Sequence, residues 1–478
     1  MSPAGFLTVT SHGNPNPWIP YRHHALIDAE LVKVALGKTQ LLILQVPIQH
    51  GKSTLGSVGN AVWTLGRFPE RFVVAISHTQ DFARDRIGAP ARQLFERYGE
   101  QIFDLKIDRR SDASDRWNIA GHEGGFFCTG VGAAIEGRRI DLAIIDDPVG
   151  TLAEAQSEKH QQGLYDWYQA QLYPRLAPKA GIIVIMSRWS RNDFVARLID
   201  AGINGTGPKP VVIDLPAIAL QPEEYSGGRD PLRRQPGEAL WPEVRPLEFL
   251  RGVRNAIGER FFAARYLGRP GAPGGTFFKK SWLRDYEFDG TNLVYYDNRG
   301  GLETLRRVPY DTLRRRQYID LATSLKSDAD YFVILTVGIN PVNKDLFILN
   351  VLRDRVAGPD QRRLVFDQFG VWKPQRIKIE AVGYQLAFVQ SMIAEGLPVA
   401  PILRGRGDKA ERATQAAVRY EQGCVFHPRT AGWKAEFENE LLAFPRGGHD
   451  DMVDTITDAC SDLLDESDES DLAGGYLP

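Results

Sequence analysis

The sequence predicts an α/β chain in two parts: a P-loop (ASCE-type) NTPase domain followed by a ribonuclease-H-like domain. Three observations carry this. An apolar run, Leu41–Val46, passes through a short polar loop into Gly51-Lys52-Ser53-Thr54 and then a helical pattern, the strand–loop–helix order of a phosphate-binding loop. A second apolar run from Ile140 ends on the pair Asp146-Asp147. In the second half, strand candidates ending on Asp320 and Glu380 precede an acidic helix start, His449-Asp450-Asp451-Met452-Val453-Asp454.

The chain has 478 residues, enough for two or three cores. No apolar run reaches the ~18 residues that span a bilayer, and MSPAGFLTVTSHG lacks a basic-then-apolar signal pattern. A cytosolic protein is expected. Cys128, Cys424 and Cys460 are scattered with no zinc spacing, so they read as reduced thiols. The net charge of −2 neither announces nor excludes a nucleic-acid partner, because local patches matter more than the sum.

Taken in order, Leu26, Ile27, Leu31, Val34 and Leu36 make an approximate helical stripe ahead of the loop. Trp18, Tyr21, His23 and His24 just before it suit either an adenine pocket or plain packing. In the loop, Pro47, Gln49, His50, Gly51, Lys52, Ser53 and Thr54 form the phosphate cradle. Lys52 would reach the β/γ oxygens of ATP, and Ser53 would ligate Mg²⁺. Arg71–Ser77, Gly124–Val131, Gly181–Ser187 and part of Pro208–Ala217 read as further strands, so a mostly parallel sheet covered by helices is expected. Asp146 is assigned to the metal and Asp147 to water activation, on the strand beside the loop. The alternative for the pair is an Asx turn at Asp147-Pro148. Ser187, at a strand end, is placed to sense the γ-phosphate.

Short helical pieces fill the stretch from Gln221, and Pro270–Gly275 is the best linker. The expected division is an ATPase domain over 1–272, with a linker subdomain from about 217, a linker over 273–284 and a nuclease domain over 285–478. The acidic end is expected to be disordered from about 466. In the second part, Gln317–Asp320, Tyr331–Ile339 and Asp345–Arg353 read as strands, with Asn340–Lys344 as a hairpin turn. Arg376–Glu380 and Val399–Leu403 follow. Three antiparallel strands, a crossover and then parallel strands is the ribonuclease-H-like order. Two-metal phosphodiester cleavage needs three or four carboxylates around Mg²⁺ or Mn²⁺. Asp320, Glu380, Asp450, Asp451 and Asp454 are the candidates, Asp454 lying i+4 or i+3 from the other two helix residues. A capped, solvated helix start is the plainer reading of HDDxxD alone. Arg306, Arg307, Arg314, Arg315 and Arg316, with Arg404, Arg406, Lys409 and Arg412, are candidate phosphate contacts or a solvated basic face.

The loop PIQHGKST, VGAAIEGRRIDLAIIDDP, MSRWSRNDF, GEALWPE, YIDLATSLKSDAD, IEAVG and HDDMVD together resemble the large terminase subunit of tailed double-stranded DNA phages. The resemblance runs from about Pro17 to Leu464. It implies an ATP-driven motor that moves double-stranded DNA into a procapsid through the portal protein, working as a homo-oligomeric ring, typically of five. It also implies cleavage of concatemeric DNA, with a small terminase subunit helping to choose the site. Location in the host cytoplasm, transiently on the procapsid and outside the mature virion, follows, with no membrane. Ser187 matches the family's coupling motif. Two departures stand out: Ile48 occupies the place of a loop arginine, and Asp147 that of a glutamate. The charge-stabilising arginine must then come from outside the loop, and Arg138 or Arg139 is the candidate finger toward a neighbouring subunit. A DNA-binding helicase or repair ATPase with a non-cleaving second domain is the competing function.

Overall fold

The computed structural model describes residues 1–478 except 136–138, 272–276, 300, 322–330, 381–384, 403–408, 446 and 473–478, and without the side chains of 111–112, 409–411 and 464–472. Two compact units are present, Met1–Asn255 with Glu259–Pro273, and Ala256–Gly258 with Gly274–Pro478.

The first unit is built on eight strands: β1 (Leu41–Gln45), β2 (Phe72–Ser77), β3 (Ile107–Ala113), β4 (Arg116–Ile119), β5 (Gly125–Gly130), β6 (Ile140–Asp146), β7 (Leu176–Ile185) and β8 (Pro210–Asp214). Their order is β3-β4-β5-β2-β6-β7-β1-β8. From β5 to β8 every neighbour is parallel, while β3 and β4 add an antiparallel edge. Every residue of β1 is buried, because helices cover both faces and leave no polar side to the strand. Alternate residues serve opposite cores. Leu42 and Leu44 pack with Leu31, Val62 and Phe95, whereas Leu41 and Ile43 pack with Ile182, Leu164 and Trp167.

One expectation is corrected by this order. The strand carrying Asp146 does not lie beside the loop strand; β7 is inserted between β6 and β1. Sequence order could not reveal this, because β7 follows both strands in the chain and enters the sheet by a crossover. The helix Pro3–Ser11, capped by Ser2, also escaped the sequence reading, and it buries Phe6 and Leu7 against the first core. The expected short helical pieces after Gln221 include one longer helix, Leu247–Arg265, broken at Gly258 with φ 78°.

The second unit holds β9 (Arg284–Phe288), β10 (Asn292–Asp297), β11 (Thr304–Pro309), β12 (Arg314–Asp320), β13 (Phe332–Ile339), β14 (Leu346–Asp354), β15 (Arg376–Glu380), β16 (Val399–Ile402) and β17 (Val425–Pro428). Their order is β11-β10-β9-β17-β14-β13-β12-β15-β16. Strands β12, β13 and β14 form an antiparallel meander, and β15 and β16 add on in parallel, giving the 3-2-1-4-5 order of a ribonuclease-H-like sheet. Four further strands extend its other edge. The helix Asp451–Leu472 lays Met452, Val453, Ile456, Ala459 and Leu463 in the core with Tyr318, Val333 and Leu335. It continues to Leu472, beyond the limit expected near 466, since each residue added to an already docked helix contributes a backbone hydrogen bond. Among the described residues no helix is long and apolar enough to cross a membrane.

Candidate nucleotide and nuclease sites

The loop after β1 takes its shape from two left-handed residues, Gln49 (φ 58°) and Gly51 (φ 78°). A Cβ on Gly51 would lie 2.4 Å from His24 Nε2, so glycine is required both by conformation and by space. His23 and His24 point Nε2 at the carbonyl oxygen of His50, at 3.2 and 3.1 Å. Burial lowers the His23 and His50 imidazoles to about 3 and about 4, so both are neutral at physiological pH. Trp18 packs on His24, and Tyr21 on Trp241 of the GEALWPE stretch. These aromatic groups buttress the loop. A cavity of about 610 Å³ adjoins them, bordered by Tyr21, Arg22, Leu232, Pro242 and Leu247.

Three strand ends converge on the loop. The Asp147 amide donates to Ile185 O (2.8 Å) and the Met186 amide to Leu44 O (3.3 Å), which ties the ends of β6, β7 and β1 together. Lys52 Nζ lies 3.1 and 3.3 Å from the two carboxylate oxygens of Asp147. Asp147 is itself left-handed (φ 45°), and its carbonyl accepts from Ser77 Oγ at 3.2 Å. Asp146 is buried. Its Oδ2 accepts from Ser57 Oγ at 2.6 Å, while its Oδ1 has no hydrogen-bond partner. Burial, then the neighbouring Asp147 charge, push the Asp146 carboxyl up to about 6 against the opposing pull of Lys52 and the serines. Ser187 Oγ, just past β7, is buried without a partner. A buried carboxylate with an unused oxygen, beside a lysine and an unused hydroxyl, fits a hard cation and a polyphosphate. Asp146 and Ser53 are the residues that would hold the cation.

In the second unit, Ile319 pairs with Ile379, so Asp320 and Glu380 take the next positions on adjacent parallel strands. Tyr318 Oη (2.7 Å), Arg316 Nη1 (2.7 Å) and Lys378 Nζ (2.8 Å) all reach Asp462. By two-residue alternation Asp320 and Glu380 share the face of Tyr318 and Lys378, which is the face the last helix covers. The start of that helix lies at the Asp320 end. His449 packs on Tyr331 (5.0 Å between ring centres), Val333 lies opposite Asp320, and Glu440 accepts from the amides of Met452 and Val453 while facing Arg353. Asp320 and Glu380 thus end adjacent strands on the sheet face where the last helix, with Asp451 and Asp454 in its first turn, begins. Among the described residues, however, no three His, Cys, Asp or Glu side chains are placed to hold a metal ion together.

A family model described as the N-terminal part of the T4-like-virus-type terminase large subunit matches residues 43–285, half of the chain. This chain belongs to the terminase large subunit family. The large terminase of a thermophilic bacteriophage, solved whole, is 10% identical and superposes over 91% of this chain and 98% of its own with a TM-score of 0.51. The large terminase of bacteriophage HK97 (12% identical, 90% and 91% covered) gives 0.38. The large terminase nuclease of thermophilic phage G20c with bound magnesium (19% identical, 39% and 97% covered) gives 0.28. Of these three the first alone exceeds 0.5, and it shows a shared fold. No curated protein matches the chain.

The remaining motif residues of this terminase chain divide by environment. Arg138, Arg404 and Arg406 lie outside the described residues, as does the side chain of Lys409. Arg139 precedes β6, at the end away from Asp146, and pairs with Asp141 at 3.0 Å. Arg316 is buried against Asp462, so it is no free phosphate contact; Arg314 and Arg315 open β12 at the end away from Asp320. The sequence offered no sign of the Arg316–Asp462 pairing, because the two residues are far apart in the chain. Arg265 escaped it too. Its guanidinium stacks on Trp189 at 3.8 Å and senses the charge of Asp147, although the two residues are far apart in the chain.

Proposed function

We propose that this chain is the motor and nuclease of DNA packaging, hydrolysing ATP to move double-stranded DNA into a procapsid and cutting concatemers. The observation that carries the motor reading is the convergence of Lys52, Asp146, Asp147 and Ser187 on the strand ends around the loop. Residues 1–272 form the motor domain in this reading and 285–478 the nuclease domain.

Bound Mg²⁺ supplies charge neutralisation at the phosphates. The loop amides from Gly51 onward and Lys52 bind the β/γ oxygens, and the neutral His23 and His24 keep the His50 carbonyl turned away from them. Lys52 leaves Asp147 for the phosphates, which frees the Asp147 carboxylate to accept a proton from the attacking water. Asp147 is a methylene shorter than glutamate, and its left-handed backbone, held by Ser77, is what aims it at the loop. Ser187 has an unused hydroxyl for the γ-phosphate side. The cavity bordered by Tyr21 and Leu232 is of a size for the base. In the second domain, Asp320 and Glu380 with Asp450, Asp451 and Asp454 supply an all-carboxylate donor set suited to Mg²⁺ or Mn²⁺. Portal protein, small terminase subunit and a ring of copies are the partners of this reading, in the host cytoplasm.

The deciding experiment is a paired ATPase and plasmid-cleavage assay. Lys52→Ala removes ATP hydrolysis and leaves Mn²⁺-dependent cleavage, whereas Asp320→Ala does the reverse. Loss of both activities in either variant, with the fold intact, refutes the division of labour.

A further inference from the structure

The family loop position that carries arginine is Ile48 here, so the loop supplies Lys52 as its one cation. Of the arginines around the converging strand ends, Arg188 is consumed, its Nε lying 3.0 and 2.7 Å from the two oxygens of the buried Asp193, which also caps the helix Phe194–Ile203. Arg245 donates to Gln49 Oε1 at 2.7 Å and lies over Phe249. Arg269 is paired with Asp214 at 2.8 Å. Arg265 differs from all three. Like Arg245 it has a buried Nε without a partner, but it makes no hydrogen bond or ion pair with any described residue, and its Cζ lies 3.8 Å over the Trp189 ring.

Trp189 is two residues beyond Ser187, so the stacking platform extends directly from the strand end that faces the loop. Burial lowers the guanidinium from its ordinary value, and the charge of Asp147 is the carboxylate that offsets this. Arg265 is half-buried, and of its five N–H donors the Nε–H is shut off from water without an acceptor, a cost that an arriving anion would remove. Arginine also suits phosphate through its planar fork, and a tryptophan face holds that fork in one plane.

We propose that Arg265 is the chain's own charge-stabilising arginine, reaching the γ-phosphate in cis from its perch on Trp189. This rests on the nucleotide-site reading above and assigns within one subunit the role that the sequence left to Arg138 or Arg139. As charge spreads over the γ-phosphoryl oxygens, Arg265 shares with Lys52 the work of neutralising it. Before nucleotide binds, Asp147 holds Lys52 at 3.1 Å and the Trp189 ring holds Arg265 at 3.8 Å.

The test is calorimetric binding of ADP and of ATPγS, each with Mg²⁺, to the full-length wild-type protein, Arg265→Ala and Arg265→Gln. The glutamine retains a flat stacking group if alanine loosens the fold. Expected is a loss of ATPγS affinity of about tenfold or more in both variants, the size of one charge-assisted hydrogen bond, with ADP affinity unchanged. Turnover of ATP falls about 10³-fold, and Arg265→Lys recovers part of the ATPγS affinity but little of the turnover. Equal weakening of ADP and ATPγS, or no change in either, overturns the assignment. Wild-type protein that binds neither nucleotide sinks the nucleotide site itself, a different outcome read from the same titrations.

Discussion

Asp146 is ionised at neutral pH only at a cost, and that cost has a direction in pH that can be measured. Burial and the adjacent Asp147 raise its carboxyl from 3.8 to about 6 in the folded protein. A group raised on folding binds protons more readily in the native state. Its stabilising contribution is complete below the unfolded value and disappears as pH rises through about 6. The shift of about 2 units corresponds to about 3 kcal/mol in all, and about 1 kcal/mol of it falls between pH 7 and pH 5. Asp146→Asn keeps the acceptor for Ser57 Oγ and removes the titration. Its absolute effect is clouded by an amide N–H with no acceptor, but its pH dependence is not. The assay is equilibrium urea unfolding at pH 5, 6 and 7, following the transition that Mg·ATPγS displaces to higher urea in the wild type. Expected is that the wild type gains about 1 kcal/mol on Asp146→Asn as pH falls from 7 to 5, against the usual trend for carboxylates. Parallel pH profiles, or a wild type that gains on raising the pH, would refute the reasoning.

Other outcomes follow from contacts elsewhere. Gly51→Ala places a Cβ 2.4 Å from His24 Nε2 on a left-handed backbone, and a strain of about 1–2 kcal/mol from conformation alone should reduce ADP binding measured by calorimetry. Asp462→Ala strands Arg316 and Lys378, and a loss of about 3–5 kcal/mol is expected in the unfolding of the second unit. Burial raises the Asp462 carboxyl, but hydrogen bonds from Lys378 and Tyr318 outweigh this and hold it below its usual range. Its contribution is therefore present above the usual carboxylate pKa and is lost as pH falls, visible as acid sensitivity in the wild type that Asp462→Asn lacks. Arg139→Ala should leave ADP and ATPγS affinity of the isolated chain unchanged in the same titrations, because Arg139 precedes β6 at the end opposite Asp146.

What the sequence determined by itself was everything encoded locally. An apolar run broken by Pro47 and followed by Gly51-Lys52-Ser53 dictates a strand, a loop and a helix, and the strand-to-Asp pattern at Asp146 is equally local, so both were legible along with the hairpin at Asn340–Lys344. The ribonuclease-H order could be read because periodicity identifies strands and their succession restricts the sheet. Only the tertiary structure decided what depends on contacts distant in sequence. It inserted β7 between β6 and β1, and it extended β12 back to Arg314, which sets Arg314 and Arg315 at the end opposite Asp320. It buried Arg316 on Asp462 and brought Arg265 onto Trp189 near Asp147. A side chain's charge is written in the sequence; whether it meets water, a partner or an aromatic face is set by crossovers and helix docking, which local patterns do not encode.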